Sequence, residues 1–164
     1  MNRVTVETTI ARPREEVYDY LVDISNMSEY TDHFLSGWHL TRENPRGKGA
    51  GVRFRIGAPL NRFDWSDLTF IEAERPHRIV ARGRGGKMNR IRSLSTLTIT
   101  QATKGTTKVQ WTFETVPSKP SDRLLEIVGG RRWWKRRMSR SVGRLKKILE
   151  QDRARGQRVT VAGG

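Results

Sequence analysis

Two periods of apolar and polar residues run along this chain, and the change from one to the other divides it. Val4, Val6, Thr8 and Ile10 alternate with Arg3, Thr5, Glu7 and Thr9, the pattern of a half-buried strand. Pro13 then opens a helix whose positive end is matched by Glu15 and Glu16. Val17, Leu21 and Ile24, flanked by Tyr18, give that helix a buried side. A second short helix over 26–33 turns Met27, Tyr30 and Phe34 inward. From Trp38 and Leu40 the period of two returns. It continues through Val52, Phe54 and Ile56, a strand over 63–73, and Ile79, Ala81 and Gly83. Ile91, Ser93, Ser95, Leu97 and Ile99 share the next inward face, and Val109, Trp111 and Phe113 the last. Turn chemistry separates these runs at 44–49, 74–77, 85–87 and 104–105.

The segment 121–155 then reads as one long helix. With Trp134 as the zero of a wheel of about 100° per residue, Leu124, Ile127, Met138, Val142, Leu145 and Leu149 fall within roughly 80° of one another, with Ile148 just outside. That stripe has the width of a helix packed on a core. Arg132, Lys135, Arg136, Arg137, Arg140, Arg144, Lys146 and Lys147 occupy the other faces. Arg131, at about 60°, falls inside the apolar stripe, whereas Trp133, at about 260°, falls among the cations. A strand, two short helices, a succession of hairpins and one long amphipathic helix predict an α+β fold. In it a curved antiparallel sheet wraps around the C-terminal helix.

These features in this order resemble the START-like superfamily with the helix-grip fold, in particular its polyketide cyclase/dehydrase and lipid-transport branch. The resemblance rests on Val4 to Ile10 followed by Ala11-Arg12-Pro13-Arg14-Glu15-Glu16-Val17-Tyr18, on Leu21-Val22-Asp23, and on Tyr30 in the second helix. It continues through Glu72-Ala73-Glu74-Arg75-Pro76-His77-Arg78-Ile79, the turn Lys104-Gly105-Thr106-Thr107-Lys108-Val109, and Leu145-Lys146-Lys147-Ile148-Leu149-Glu150. It covers residues 2–150. The tryptophans frequent in the second helix of such proteins are replaced here by Met27 and Tyr30. The resemblance implies a cavity between sheet and helix for an apolar or amphipathic small molecule, and no shared catalytic residue. Residues 1–155 are accordingly expected to form a single ligand-binding domain, with 156–164 a flexible tail.

Composition narrows the chemistry. The chain has no cysteine, so no disulfide, zinc-thiolate site or thiol nucleophile is available. No apolar run reaches membrane-spanning length, the first ten residues lack the apolar stretch of a signal peptide, and a cytoplasmic location is the expectation. The formal net charge is +15, and its placement is lopsided. Residues 1–74 hold 9 Lys/Arg and 12 Asp/Glu, whereas residues 75–164 hold 23 and 5. That asymmetry points to a polyanionic partner on the C-terminal side.

On strand parity the cavity lining is expected to include Val6, Phe54, Ile56, Ser93, Ser95, Leu97, Trp111, Phe113, Trp134 and Met138, mostly apolar with a few hydroxyls. Arg131 is a candidate to pair with a ligand carboxylate or hold an enolate oxygen, unless it snorkels past the first helical turns. Asp67, or Asp64 beside it, is a candidate base for a cyclisation or dehydration. His33, His39 and His77 are too scattered for a metal site, and no motif calls for a cofactor. Gly47, Gly49 and Gly51 precede a strand, not a helix, and read as a hairpin loop and not a phosphate cradle. The surface of Arg132, Trp133, Lys135, Arg136, Arg137, Arg140 and Arg144 is a candidate for docking on an anionic membrane, since Trp133 suits a headgroup interface. The leading expectation is a carrier of a small hydrophobic ligand that docks on membrane. A polyketide-type cyclase or dehydratase and an RNA- or ribosome-associated member of the same fold are the alternatives.

Overall fold

The computed structural model describes residues 3–57, 65–85, 91–117 and 130–161. β1 (Val4–Ile10) is followed by α1 (Arg14–Leu21), a short 3-10 turn (Ile24–Asn26) and α2 (Met27–Thr31). Six further strands follow: β2 (Leu35–Leu40), β3 (Gly51–Ile56), β4 (Trp65–Glu74), β5 (Arg78–Gly85), β6 (Ile91–Thr103) and β7 (Thr106–Pro117). The chain then enters α3 (Arg131–Val161). The described strands form one antiparallel sheet of seven, in the order β1-β7-β6-β5-β4-β3-β2. After β1 the chain crosses to the far edge through the two short helices and returns strand by strand. The last strand thereby meets the first, with Val4 opposite Phe113 and Val6 opposite Trp111.

The period-two runs explain which face turns inward. Val52, Phe54 and Ile56 on β3, Ile79 and Ala81 on β5, and Val109, Trp111 and Phe113 on β7 are all buried, while Arg53, Arg55 and Arg82 between them are exposed. The long helix closes this concave face with Trp134, Met138, Val142, Leu145 and Leu149, the predicted stripe. Leu124, Ile127 and the expected helix start at 121 lie outside the described residues. The helix continues to Val161, past Arg155 where the apolar stripe gives out, because propagating an existing helix adds one backbone bond per residue without needing a core face.

The C-terminal half of α3 is clipped to the start of the chain. Glu150 Oε1 accepts from the Ala11 amide at 2.9 Å, Arg12 Nε donates to the Leu149 carbonyl at 2.8 Å, and Lys146 Nζ donates to the Thr9 carbonyl at 2.9 Å. The glycine loop between β2 and β3 is a connector. Gly47 and Gly49 take φ of 75° and 93°, and their amides donate to the Val22 and Phe70 carbonyls, which leaves neither for a phosphate.

Candidate functional site

Strand ends and one helix end converge to make the site. β3 leads into 58–64, β5 into 86–90 and β7 into 118–129, so these ends gather where α3 begins. There Trp134 comes down onto the sheet. Its ring lies 4.4 Å from that of Phe113, tilted by 34°, and meets Phe34 of the segment after α2 edge-on at 6.0 Å. Beneath it lies a cavity of about 40 Å³ walled by Met27, Phe34, Leu35, Phe54, Ile56, Leu68, Trp111, Phe113 and Trp134, with Ser66, Ser93 and Ser95 on its floor. Two voids of about 10 Å³ extend it, one under Tyr30, Phe70 and Leu97, the other toward Gly85 and Thr115.

The floor is polar for a reason visible in the register. Ser66 stands opposite Gly85, and Ser93 opposite Gly83, on neighbouring strands. A β-carbon at Gly83 would strike Ser93 Oγ, and one at Gly85 would strike Ser66 Oγ. The two glycines thus give up their side chains so that two hydroxyls can lie on the inner face. Ser95 Oγ accepts a hydrogen bond from Trp111 Nε1 at 2.7 Å, which satisfies a buried indole N–H. Ser66 and Ser93 make no side-chain hydrogen bond among the described residues, so both retain a donor and acceptor for a guest. Tyr30 packs edge-on to Trp111 at 6.4 Å, and burial pushes its phenol well above the ordinary value, so it stays neutral.

Of the expected ligand-binding residues, Phe54, Ile56, Ser93, Ser95, Trp111, Phe113 and Trp134 line the main cavity and Leu97 an adjoining void. Val6 and Met138 are buried in the core and reach none of these spaces; Met138, at 0 % exposure, faces the tightly packed part of the sheet beyond the cavity. Arg131, in the first turn of α3, is exposed and is not among the residues that line the described cavities. Asp67 borders the cavity, but its carboxylate faces the other way. Ser66, Leu68 and Phe70 take the inner face of β4, so Asp67 points outward, where Arg53 Nε and Nη2 grip its two oxygens at 2.6 and 2.9 Å. A carboxylate so held is no base for a cavity guest. Asp64 lies outside the described residues.

The basic helix surface divides in two because α2 packs against one flank of it. Arg144 reaches Asp32 at 2.6 Å and the Glu29 carbonyl at 3.2 Å. Arg137 donates to the His33 carbonyl at 3.5 Å and lies 5.5 Å from the centroid of the Trp133 ring. Trp133 itself is half-buried and edge-on to Phe34 at 5.9 Å and to Trp134 at 5.1 Å, instead of standing in water among cations. Arg132, Lys135, Arg136 and Arg140 are the exposed remainder, unpaired among the described residues.

Sequence reasoning missed Met27, Phe34 and Leu35 as cavity walls and Ser66 and Leu68 on β4. The inward turn of Met27 and Phe34 was legible; that it carries them over the cavity depends on how the short helices dock. The histidines lie apart, with His33 Nε2 3.3 Å from the Arg137 carbonyl, His39 beside Trp65, and His77 near Arg14. No helix among the described residues is long and apolar enough to cross a membrane.

Comparison with known proteins adds a sequence match and a set of fold matches. A family model described as polyketide cyclase/dehydrase and lipid transport matches residues 1–150. No curated protein matches the sequence. Among solved structures, TTHA0849 from Thermus thermophilus is similar at a TM-score of 0.67 and 15% identity, over 90% of this chain and 96% of that one. Protein jhp0584 from Helicobacter pylori is similar at 0.70 and 12%, over 90% and 88%. Truncated norcoclaurine synthase from Thalictrum flavum is similar at 0.68 and 10%, over 90% and 92%. At these identities the likeness establishes the fold.

Proposed function

Because the chain belongs to the polyketide cyclase/dehydrase and lipid-transport family, we propose that it binds a small apolar or amphipathic molecule, lipid or polyketide-like, between the sheet and α3. The observation that carries this reading is the lining: aromatic and aliphatic walls around the two hydroxyls of Ser66 and Ser93, with no charged group turned inward among the described residues. Such a lining favours a neutral guest with one or two oxygens, because a buried ion without a partner would be costly. The cavity of about 40 Å³ holds water-sized guests. Ligand sites of this kind usually need roughly 300 Å³ or more. A guest of that size needs the cavity to widen, and we infer that Trp134 and Phe113, whose rings lie 4.4 Å apart, separate to admit it.

The exposed Arg132, Lys135, Arg136 and Arg140 support docking on an anionic membrane, at about 1 kcal/mol per cation close to the surface. Half-burial of Trp133 leaves electrostatics as the main term in that docking. The cyclase reading has less support, since Asp67 is held by Arg53 on the outer face and Arg131 is exposed and absent from the described cavity lining. Native mass spectrometry of the purified protein, followed by solvent extraction, tests the ligand: a discrete neutral mass of lipid or polyketide size is expected. An apo mass that no added lipid or aromatic polyketone shifts would contradict the reading. Flotation tests the docking, with binding expected to phosphatidylglycerol vesicles and not to phosphatidylcholine alone; equal binding to both would remove it.

A further inference from the structure

The outer face of the sheet carries a second cationic surface, distinct from the helix. Arg53 and Arg55 on β3, Arg82 and Arg84 on β5, and Arg92 on β6 are all exposed on it. The register draws Arg53, Asp67, Arg84 and Arg92 into one row, each opposite the next across β3, β4, β5 and β6. With strands about 4.8 Å apart, the row spans about 14 Å. Asp67 is the one carboxylate in it, and both its oxygens are taken by Arg53. Among the described residues nothing pairs with Arg82, Arg84 or Arg92. Arg84 and Arg92 stand directly opposite each other, an arrangement of like charges that destabilises an antiparallel pair.

Elsewhere on this face described cations meet carboxylates. Arg78 meets Glu72, Arg3 meets Glu114 and Lys108 meets Glu7, all within 3.6 Å. Among the described residues of the outer strand faces, the unpaired arginines thus gather on β5 and β6, and an aromatic platform adjoins them. Trp65 is 40% exposed, with Arg55 5.5 Å from its ring centroid and the His39 ring at 6.1 Å. A β-carbon at Gly37 on β2 would lie 3.5 Å from Trp65 Cη2, so the indole reaches across β3 and lies along the sheet surface.

We propose that this face binds single-stranded nucleic acid, with Arg82, Arg84 and Arg92 on phosphates and Trp65, backed by Arg55, as a stacking surface for a base. Guanidinium groups match phosphate oxygens in bidentate fashion, and an open sheet face with an exposed ring can take an unpaired base that a duplex would withhold. Val116, 66% exposed, stands opposite Arg92, so a bilayer is the competing occupant that the test separates; Trp65 lying along the sheet favours stacking on a base.

The test is fluorescence anisotropy of a labelled 20-mer oligouridine RNA between 50 and 200 mM salt. The triple variant Arg82→Ser, Arg84→Ser, Arg92→Ser is expected to lose about tenfold or more in affinity and to flatten the salt slope by about 2, at about 0.7 per phosphate contact on a single strand. Trp65→Leu is expected to weaken binding with the slope unchanged. A control of equal charge, Arg42→Ser, Lys48→Ser, Lys104→Ser, removes exposed cations elsewhere and is expected to stay within about twofold of the parent. Thermal melting checks folding, and relief of the Arg84–Arg92 opposition should leave the triple variant at least as stable as the parent. Equal RNA binding by the triple variant and the parent overturns the proposal, as does an equal loss in the control. Phosphatidylglycerol vesicles that bind the parent but not the triple variant, with RNA bound by neither, would assign the face to membrane instead. Binding of neither probe would overturn the proposal as well and leave a solvated surface.

Discussion

The two halves of α3 meet the same sheet in different ways. From Met138 to Leu149 the helix presses Met138, Val142 and Leu145 against strands whose inner residues, Ile10, Ile99 and Val109, are inaccessible to solvent, and Glu150, Arg12 and Lys146 clip the edges. From Arg131 to Trp134 the helix rests on aromatic rings above serines and glycines, with space left over. The difference separates a closely packed length of the helix from an end that borders a cavity. Close packing fixes one end, because any displacement there opens a cavity and loses contacts. At the other end Trp134 rests on the rings of Phe34 and Phe113, and small residues lie beneath it around a cavity.

That contrast can be broken by substitution, and the largest effect belongs at the dry end. Leu145→Ala is expected to lower the unfolding free energy by about 2–5 kcal/mol in urea denaturation, yet to leave uptake of a neutral apolar probe unchanged. If probe affinity moved with it, the two halves would not be separable. The serines sharpen the comparison within the cavity. Ser95→Ala strands the Trp111 indole N–H and should cost about 1–3 kcal/mol, whereas Ser93→Ala breaks no bond among the described residues and should cost less, as paired thermal melts would show. Glu150→Ala removes the carboxylate that accepts from the Ala11 amide and should cost about 1 kcal/mol by the same measurement, with the cavity untouched.

The smallest expected effect is a pH dependence at the α2–α3 contact. Burial holds the His33 imidazole below its ordinary value of 6.5, with Arg140, Arg144 and Arg137 adding repulsion against the opposing hydrogen bond to the Arg137 carbonyl. The folded protein therefore takes up the proton later than the unfolded chain. Stability from this group is complete above about pH 6.5 and declines as the pH falls below it toward the folded value. Melting temperatures from pH 7.5 to 5 should show a fall that His33→Gln reduces.

Much of this was legible in the sequence, and what was not has one physical cause. Alternation placed Phe54, Ile56, Ser93, Ser95, Trp111 and Phe113 on the concave face, because strand parity is local and a slip of one residue would bury Arg53 or Arg92. The wheel placed Trp134 on the same side for the same reason. It also gave the direction of Trp133, but not that α2 packs there and takes the ring out of water. Asp67 sits in a stretch, Asp64-Trp65-Ser66-Asp67, with no alternation to fix its parity, and its partner Arg53 lies across a strand pair. Register is a long-range property, and so the row of arginines on the outer face was invisible until the strands were laid side by side.

The central claim is that the space under Trp134 is a ligand site and not a packing defect. The most direct test is titration of the neutral fluorophore N-phenyl-1-naphthylamine against the parent protein and against Ser93→Leu, which would fill the floor of the cavity. The account predicts saturable binding by the parent with one site per chain, and its loss in a Ser93→Leu protein that remains folded. Binding of equal strength and stoichiometry in both would contradict it.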